Sequence, residues 1–393
     1  MKAIILAAGK GTRVRPLTYT MPKPMIPIIN KPVMEILVEH LARHGVGEIM
    51  VNTSYLAPAI ENYFRDGARF GVQMAYSFEG RWENGRLIDE PVGSAGAIKK
   101  IQEHSGFFDD TFFVLCGDAI IDLNLTELLE VHRRKGALVT IALADVPRSE
   151  VSSYGVVVTD DDGRILEFQE KPSVEEARST TVNTGIYVFE PEVIECIPSG
   201  VEYDIGGELF PALTATGAAL YGAKMPFQWL DIGKITDYYR VIQMALRGEI
   251  RGFAMPGTEV TEGVWMGLNV RADLDRCRIT PPVYIGGSAT LEPGCTLIGP
   301  SFIGPGCVIE SGAHIERSVV FDYTRIGSAA HLHEMLVCGG YSVDASGTVI
   351  DLARADIDWV IADARMPKRP LSEEQRQFLA MLEQWSGRIP AQP

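Results

Sequence analysis

The chain changes its rhythm of apolar and polar residues once. Up to about Arg247, short apolar runs alternate with stretches of helical periodicity. Met1–Ala8, Ile49–Asn52, Thr111–Cys116, Leu138–Leu143, Gly155–Val158 and Ile186–Val188 predict strands. Pro32–His44, Ala57–Phe64, Thr126–Lys135 and Ile235–Leu246 predict helices. This alternation implies an α/β domain with a mostly parallel sheet covered on both faces. Ligands of such sheets bind at the carboxyl ends of the strands.

From roughly Val264 the period becomes six. Ile285, Leu291, Leu297, Ile303, Ile309 and Ile315 recur in register, with Phe321 continuing the phase. A small residue follows four positions later at Ala289, Cys295, Ser301, Cys307 and Ala313, and Gly and Pro fill the corners. Large and small inward positions at this spacing are the hexapeptide repeat of a parallel β-helix. The segment 248–262, rich in Gly and charge and with a turn at Pro256-Gly257, reads as the linker. In the tail, Ser372 with Gln375 three residues on predicts a capped helix, and Phe378, Leu379, Leu382 and Trp385 share its face. It is expected to pack on the β-helix or a neighbouring subunit.

The 393 residues suffice for two or three domains. A net charge of −15 argues against nucleic acid or an anionic membrane as the main partner, so any positive charge for a phosphate must be local. No run reaches the ~18 apolar residues of a membrane span. The six cysteines (116, 196, 277, 295, 307, 338) form no C-x-x-C pair, which suggests neither a zinc cage nor a disulfide framework and fits the cytoplasm.

The first strand runs into Gly9-Lys10-Gly11-Thr12-Arg13, and Lys23 follows between Pro22 and Pro24. A buried strand opening into a glycine-rich loop brings backbone N–H groups against a phosphate chain. Arginine and lysine in the same stretch add the charge to hold a triphosphate and release pyrophosphate. No Gly-Lys-Ser/Thr follows, which excludes a Walker A loop. The third glycine of a dinucleotide fingerprint is also missing.

The string L-A-A-G-x-G-T-R…P-K-P resembles the N-terminal signature of sugar-1-phosphate nucleotidyltransferases. The resemblance spans essentially the whole chain. It implies a Rossmann-like nucleotidyltransferase domain over 1–250, a left-handed parallel β-helix over 264–370, and a helix and tail over 371–393. It places the nucleotide on Leu6, Ala7, Ala8, Gly9, Lys10, Gly11, Thr12, Arg13 and Lys23, on Gly93 and Ser94 of G-S-A-G, and on Asp118. Glu79 or Glu90 would read the base, and Gly80–Asp89 between them looks like an insertion that forms a flap. Asp118, in L-C-G-D, and Asp231, in W-L-D-I-G, would hold Mg²⁺. Tyr154, Gly155, Glu170, Lys171, Asn183, Thr184, Gly185 and Trp229 would form the sugar-phosphate side, with Lys171 on the 1-phosphate. Arg13, Lys23 and Lys171 are the expected catalytic residues. The physical reading agrees: two carboxylates with phosphate oxygens suit Mg²⁺, and a lysine is a compact charge for one phosphate.

The blocks Pro24-Met25-Ile26-Pro27, Tyr63-Phe64-Arg65-Asp66-Gly67 and Tyr76-Ser77-Phe78-Glu79 look closest to bacterial uridylyltransferases with a C-terminal β-helix. UTP and glucose 1-phosphate are the implied substrates. Mannose-1-phosphate guanylyl transfer comes next, and thymidylyl or adenylyl transfer after it. A catalytically dead sensor of this fold is disfavoured by the intact Arg13, Lys23, Asp118, Lys171 and Asp231. Acyl transfer on the β-helix would need His331 or His333 as base, but both read better as corner or surface histidines. Self-association through the β-helix is expected, since a solenoid end must be capped or paired.

Overall fold

Strand β1 (Lys2–Leu6) lies in register between two parallel neighbours, β2 (Glu48–Thr53) and β6 (Phe112–Cys116). The computed structural model describes residues 1–368 and 370–386, and the chain divides into two units. The first comprises Met1–Thr12, Thr18–Pro27 and Lys31–Asp231. Its early elements after β1 are α1 (Val33–Arg43), β2, α2 (Ala57–Phe64), β3 (Gln73–Phe78), β4 (Gly80–Glu83), β5 (Arg86–Asp89) and α3 (Ser94–Ser105). After β6 come β7 (Ala119–Ile121), α4 (Leu125–Lys135), β8 (Val139–Asp145), β9 (Gly155–Thr159) and β10 (Ile165–Glu170). The last three are β11 (Thr181–Phe189), β12 (Leu220–Lys224) and β13 (Trp229–Asp231).

The main sheet runs β10-β9-β11-β6-β1-β2-β3, with β8 joining β11 to β12. The block β6-β1-β2-β3 is parallel, as expected, while β11, β9 and β10 extend it antiparallel. Ala3, Ile4 and Ile5 are fully buried because the sheet has a core on each face, one against Leu37, Leu41 and Leu115, the other against Ile98, Val114 and Phe210. Local chemistry sets the ends of the elements. Asn124 caps α4 by accepting from Glu127 N, and Gly136 closes it in the left-handed region. The expected flap at 80–89 is the hairpin β4-β5, turned at Asn84-Gly85 with both φ positive, as a tight two-residue hairpin requires.

The second unit comprises Arg13–Leu17, Ile28–Asn30 and the chain from Ile232. It opens on α5 (Ile235–Leu246) and continues as three parallel ladders, the coils of a β-helix. Thr258–Thr261, expected in the linker, is already a strand paired with Val264–Met266. Ile285, Leu291, Leu297, Ile303, Ile309 and Ile315 all point into one core with Ala289, Cys295, Cys307 and Ala313. Phe321 does not continue that phase. Ile303 stands beside Val320, so the inward position arrives one residue early, and Phe321 instead meets the Tyr238 ring of α5 at 5.9 Å. His331 and His333 lie on a regular strand, exposed to either side of buried Leu332, and not at a corner.

Tyr341–Val343 and Val349–Asp351 end the first ladder antiparallel. The tail helix Glu373–Ser386 is capped reciprocally by Ser372 and Gln375, as predicted. The packing of Phe378, Leu379, Leu382 and Trp385 lies outside the described residues. No helix among the described residues is long and apolar enough to cross a membrane.

A buried histidine on α1 gives the fold a pH signature. His40 is 4% exposed and its Nε2 lies 2.8 Å from Leu123 O. Burial first, then the neighbouring His44 and Arg43, lowers its pKa from 6.5 to about 4. Acid therefore protonates the unfolded chain first, and stability is lost as pH falls from about 6.5 to about 4. The loss from this residue is about 3 kcal/mol. A His40→Gln variant, which keeps a donor for Leu123, should lose this slope in urea unfolding. A stability difference from wild type that stays constant between pH 7 and 4 refutes the assignment.

Candidate active site

Leu6, Asn52 and Cys116 share one level of the sheet, so the loops that follow them leave the same edge. The first loop is fastened at both ends. Ala7 N donates to Asn52 Oδ1 at 2.7 Å, and Thr18 Oγ1 donates to Gly11 O at 2.8 Å. Between these points Gly9 and Lys10 are exposed, and Gly9 has open space where a side chain would be. Among the described residues, the N–H groups of Gly9, Lys10 and Gly11 donate to no protein acceptor. Gly11 has φ +60°, and its missing Cβ would sit 3.0 Å from Lys23 Cβ, so glycine is required there. Thr12 and Arg13 begin the next turn, both exposed.

Asp118 and Asp231 meet through a short antiparallel ladder. β13 pairs with β7 so that Asp231 stands opposite Ala119, the neighbour of Asp118. Gly117 N donates to Leu6 O at 3.0 Å, which holds the Asp118 turn against the end of β1. Lys23 reaches this pair from the turn Lys23–Met25. Its Nζ bonds Asp118 Oδ2, and its side chain is 13% exposed. Burial alone would lower the ammonium pKa, but Asp118 and Asp231 outweigh it and hold the pKa above its ordinary value. Burial pushes the neighbouring Cys116 thiol up, reinforced by the two aspartates, so it is no nucleophile. Among the described residues no three His, Cys, Asp or Glu side chains converge as a closed metal cage. Two adjacent carboxylates fit an ion that keeps waters and takes phosphate oxygens.

The two base-reading candidates differ sharply. Glu79 is buried: Asn52 Nδ2 donates to its carboxylate, as does Val92 N–H, and burial raises its pKa despite both. Glu90 is exposed and ion-paired at 2.8 Å with Arg81 of the hairpin. The start of α3 is not an open anion site. Ser94 N and Oγ both donate to Asp204 Oδ1, and Ala95 N and Gly96 N donate to Tyr203 O. Gly93 is there because a Cβ would strike Tyr203.

On the antiparallel side, Gly155 pairs with Glu170, and the Glu170 carboxylate lies where a Cβ on Gly206 would be, 2.6 Å away. Lys171 has φ +45° and is anchored by its N–H to Tyr154 O at 3.2 Å. A non-glycine residue held there points to a site that fixes it. Its Nζ lies 2.6 Å from Glu170 Oε1 and is open to solvent. The Tyr154 and Trp229 rings lie 5.1 Å apart, and the buried Trp229 Nε1 has no partner among the described residues. Gly185, φ +76°, fits because a Cβ would approach Cys116 Sγ to 2.9 Å. Asn183 bonds Tyr187 OH and Gly185 N, and buried Thr184 donates to Ala142 O, so both side chains brace the sheet.

Sequence reading missed Asn52, which ties the Ala7 loop to Glu79, and Tyr203–Asp204, which complete α3. The one signal for Asn52 was a polar residue closing a buried strand.

A family model described as Nucleotidyl transferase matches residues 2–248. A UTP–glucose-1-phosphate uridylyltransferase of Synechocystis sp. is 59% identical over 365 residues, covering 93% of this chain and 94% of the relative. A mannose-1-phosphate guanylyltransferase of Mycobacterium tuberculosis is 32% identical over 325 residues, covering 82% and 80%. A solved UDP-glucose pyrophosphorylase complexed with UDP-glucose superposes with a TM-score of 0.53 at 22% identity, over 63% of this chain and 98% of that one.

Asn52→Ala should leave Ala7 N–H and the buried Glu79 short of a partner. The expected cost is about 2–4 kcal/mol in urea unfolding, with at least tenfold weaker nucleotide binding by calorimetry. Unchanged values for both refute the bracing role.

Proposed function

The chain belongs to the nucleotidyl transferase family, and we propose that within it the protein transfers UMP from UTP to glucose 1-phosphate, giving UDP-glucose and pyrophosphate. The observation that carries this reading is the 59% identity to a uridylyltransferase over nearly the full length of both chains. Resemblance to guanylyltransferases is half as strong by identity.

The site explains how such a reaction could run without a covalent nucleophile. A glucose 1-phosphate oxygen attacks the α-phosphorus of UTP in line, a new P–O bond forms, and the bond to the β-phosphate oxygen breaks. Catalysis is then positioning plus charge neutralisation. The free N–H groups of Gly9, Lys10 and Gly11 cradle the phosphates, and Arg13 and Lys23 take the charge that develops on pyrophosphate. Lys171 holds the attacking phosphate, with Glu170 available to sugar hydroxyls. Glu79 or Glu90 reads the base, and each already holds partners, Asn52 and Val92 on Glu79 and Arg81 on Glu90. Mg²⁺ on Asp118 and Asp231, when bound, supplies charge to the phosphates. The β-helix serves as scaffold in this reading. Six thiols without a disulfide among the described residues suit the cytoplasm.

A pyrophosphate-release assay crossing four NTPs with glucose 1-phosphate and mannose 1-phosphate should give Mg²⁺-dependent turnover with UTP and glucose 1-phosphate. Arg13→Ala should lower kcat by about 10²–10³. Turnover with GTP and mannose 1-phosphate instead moves the assignment to guanylyl transfer, and a fully active Arg13→Ala removes that arginine from the mechanism.

Self-association is the other part of this reading. Val349 and Ile350, on the last strand of the first ladder, are 45% and 37% exposed and offer an edge to a second copy. Sedimentation velocity should show more than one chain per particle, and Val349→Lys should dissociate it. A monomer at all concentrations ends the proposal.

A further inference from the structure

We infer that Lys23 is a placeholder cation: it occupies the carboxylate pair in the nucleotide-free protein, excludes a free divalent ion, and leaves for the triphosphate when nucleotide arrives. The inference rests on the reading of Asp118 and Asp231 as the metal carboxylates.

Three observations carry it. First, Lys23 Nζ bonds Asp118 Oδ2, the same kind of oxygen a metal would need, with Asp231 beside it. An ammonium there takes a lone pair that a divalent ion would use and sets a positive charge beside the ion's position. Three positive charges against two carboxylates would also leave a surplus in a poorly solvated site. Second, a strand-end pair of carboxylates with no cation nearby would repel itself and attract any divalent ion in solution. Lys23 removes most of that attraction while no nucleotide is present.

Third, the lysine is built to move at its tip and not at its base. Pro22 and Pro24 flank it, and its backbone forms the turn Lys23–Met25. Its Cβ lies against Gly11, whose N–H donates to no acceptor among the described residues. Rotation of the flexible stem therefore carries Nζ between Asp118 and the glycine loop without moving the chain. The consequence is coupling. Nucleotide draws Lys23 away and opens the carboxylates to metal, and metal at the carboxylates releases Lys23 to the nucleotide. By linkage each raises the other's affinity by the same factor.

The test is Mn²⁺ binding to the nucleotide-free, full-length protein, read by electron paramagnetic resonance. Lys23→Met and Lys23→Gln should bind Mn²⁺ at least tenfold more tightly than wild type. Lys23→Arg, which keeps the charge, should stay near wild type. Asp118→Asn and Asp231→Asn, each made in the Lys23→Met background, should abolish the gain. If those carboxylate variants lose Mn²⁺ while neither neutral lysine variant gains it, the placeholder role is wrong and the metal reading stands. If the lysine variants gain Mn²⁺ and both carboxylate changes leave it untouched, the metal reading is wrong. A gain in Lys23→Arg equal to that in Lys23→Met also overturns the inference.

Discussion

The site depends on one alignment. β1 is held in parallel register by β2 and β6, and Leu6, Asn52 and Cys116 end at one level. Parallel strands direct all their following loops to the same edge, so a glycine loop, a polar brace and the Asp118 turn arrive together. The hydrophobic cores on both sheet faces fix that register, because a slip of one residue would turn Ala3 and Ile5 into the core packed for Ile4 and Ile4 into theirs. Core packing thus sets the geometry of residues that never touch the core.

The second constraint is charge. A chain of net charge −15 must hold a highly anionic substrate. Positive charge for it must be local, and of the expected cations Lys10, Arg13, Lys23 and Lys171 the most buried, Lys23, bonds Asp118 with Asp231 beside it. Burial alone would weaken the Lys23 charge, and the carboxylates restore it. The same contact orients the Asp118 carboxylate.

Much of this was legible in the sequence, and the failures have physical causes. Strand and helix positions followed from periodicity, and the β-helix core followed from period six through Ile315. The roles expected for Asp118, Asp231 and Lys171 came from the family resemblance, and the structure shows only that each ends or follows a strand. Side-chain direction was not legible. Ser94 and Thr184 have the right residue types for ligand contacts, yet their hydroxyls bond Asp204 and Ala142. Asn52 and Tyr203 act across 45 and 107–108 residues of chain, distances at which local pattern carries no information. Glu79 and Glu90 could not be separated by type, because burial and bonding partners distinguish them.

The break in period at Phe321 has its own logic. In a β-helix coil, each position inward or outward is set by the pleat, so losing one residue between Ile315 and Val320 reverses what the next side chain faces. Had the phase continued, a large aromatic would have entered a core sized for Val, Ile and Leu, with overpacking as the result. The early turn puts Val320 inside instead and frees Phe321 to meet Tyr238 of α5. On the same ladder Tyr284 and Phe302 stack outward at 5.5 Å and are buried, and α5 packs on the strand that carries Phe302. The outward aromatic row is therefore a seat for the chain's own helix. What remains bare on this ladder is its two edge strands, Thr258–Thr261 and Val349–Asp351.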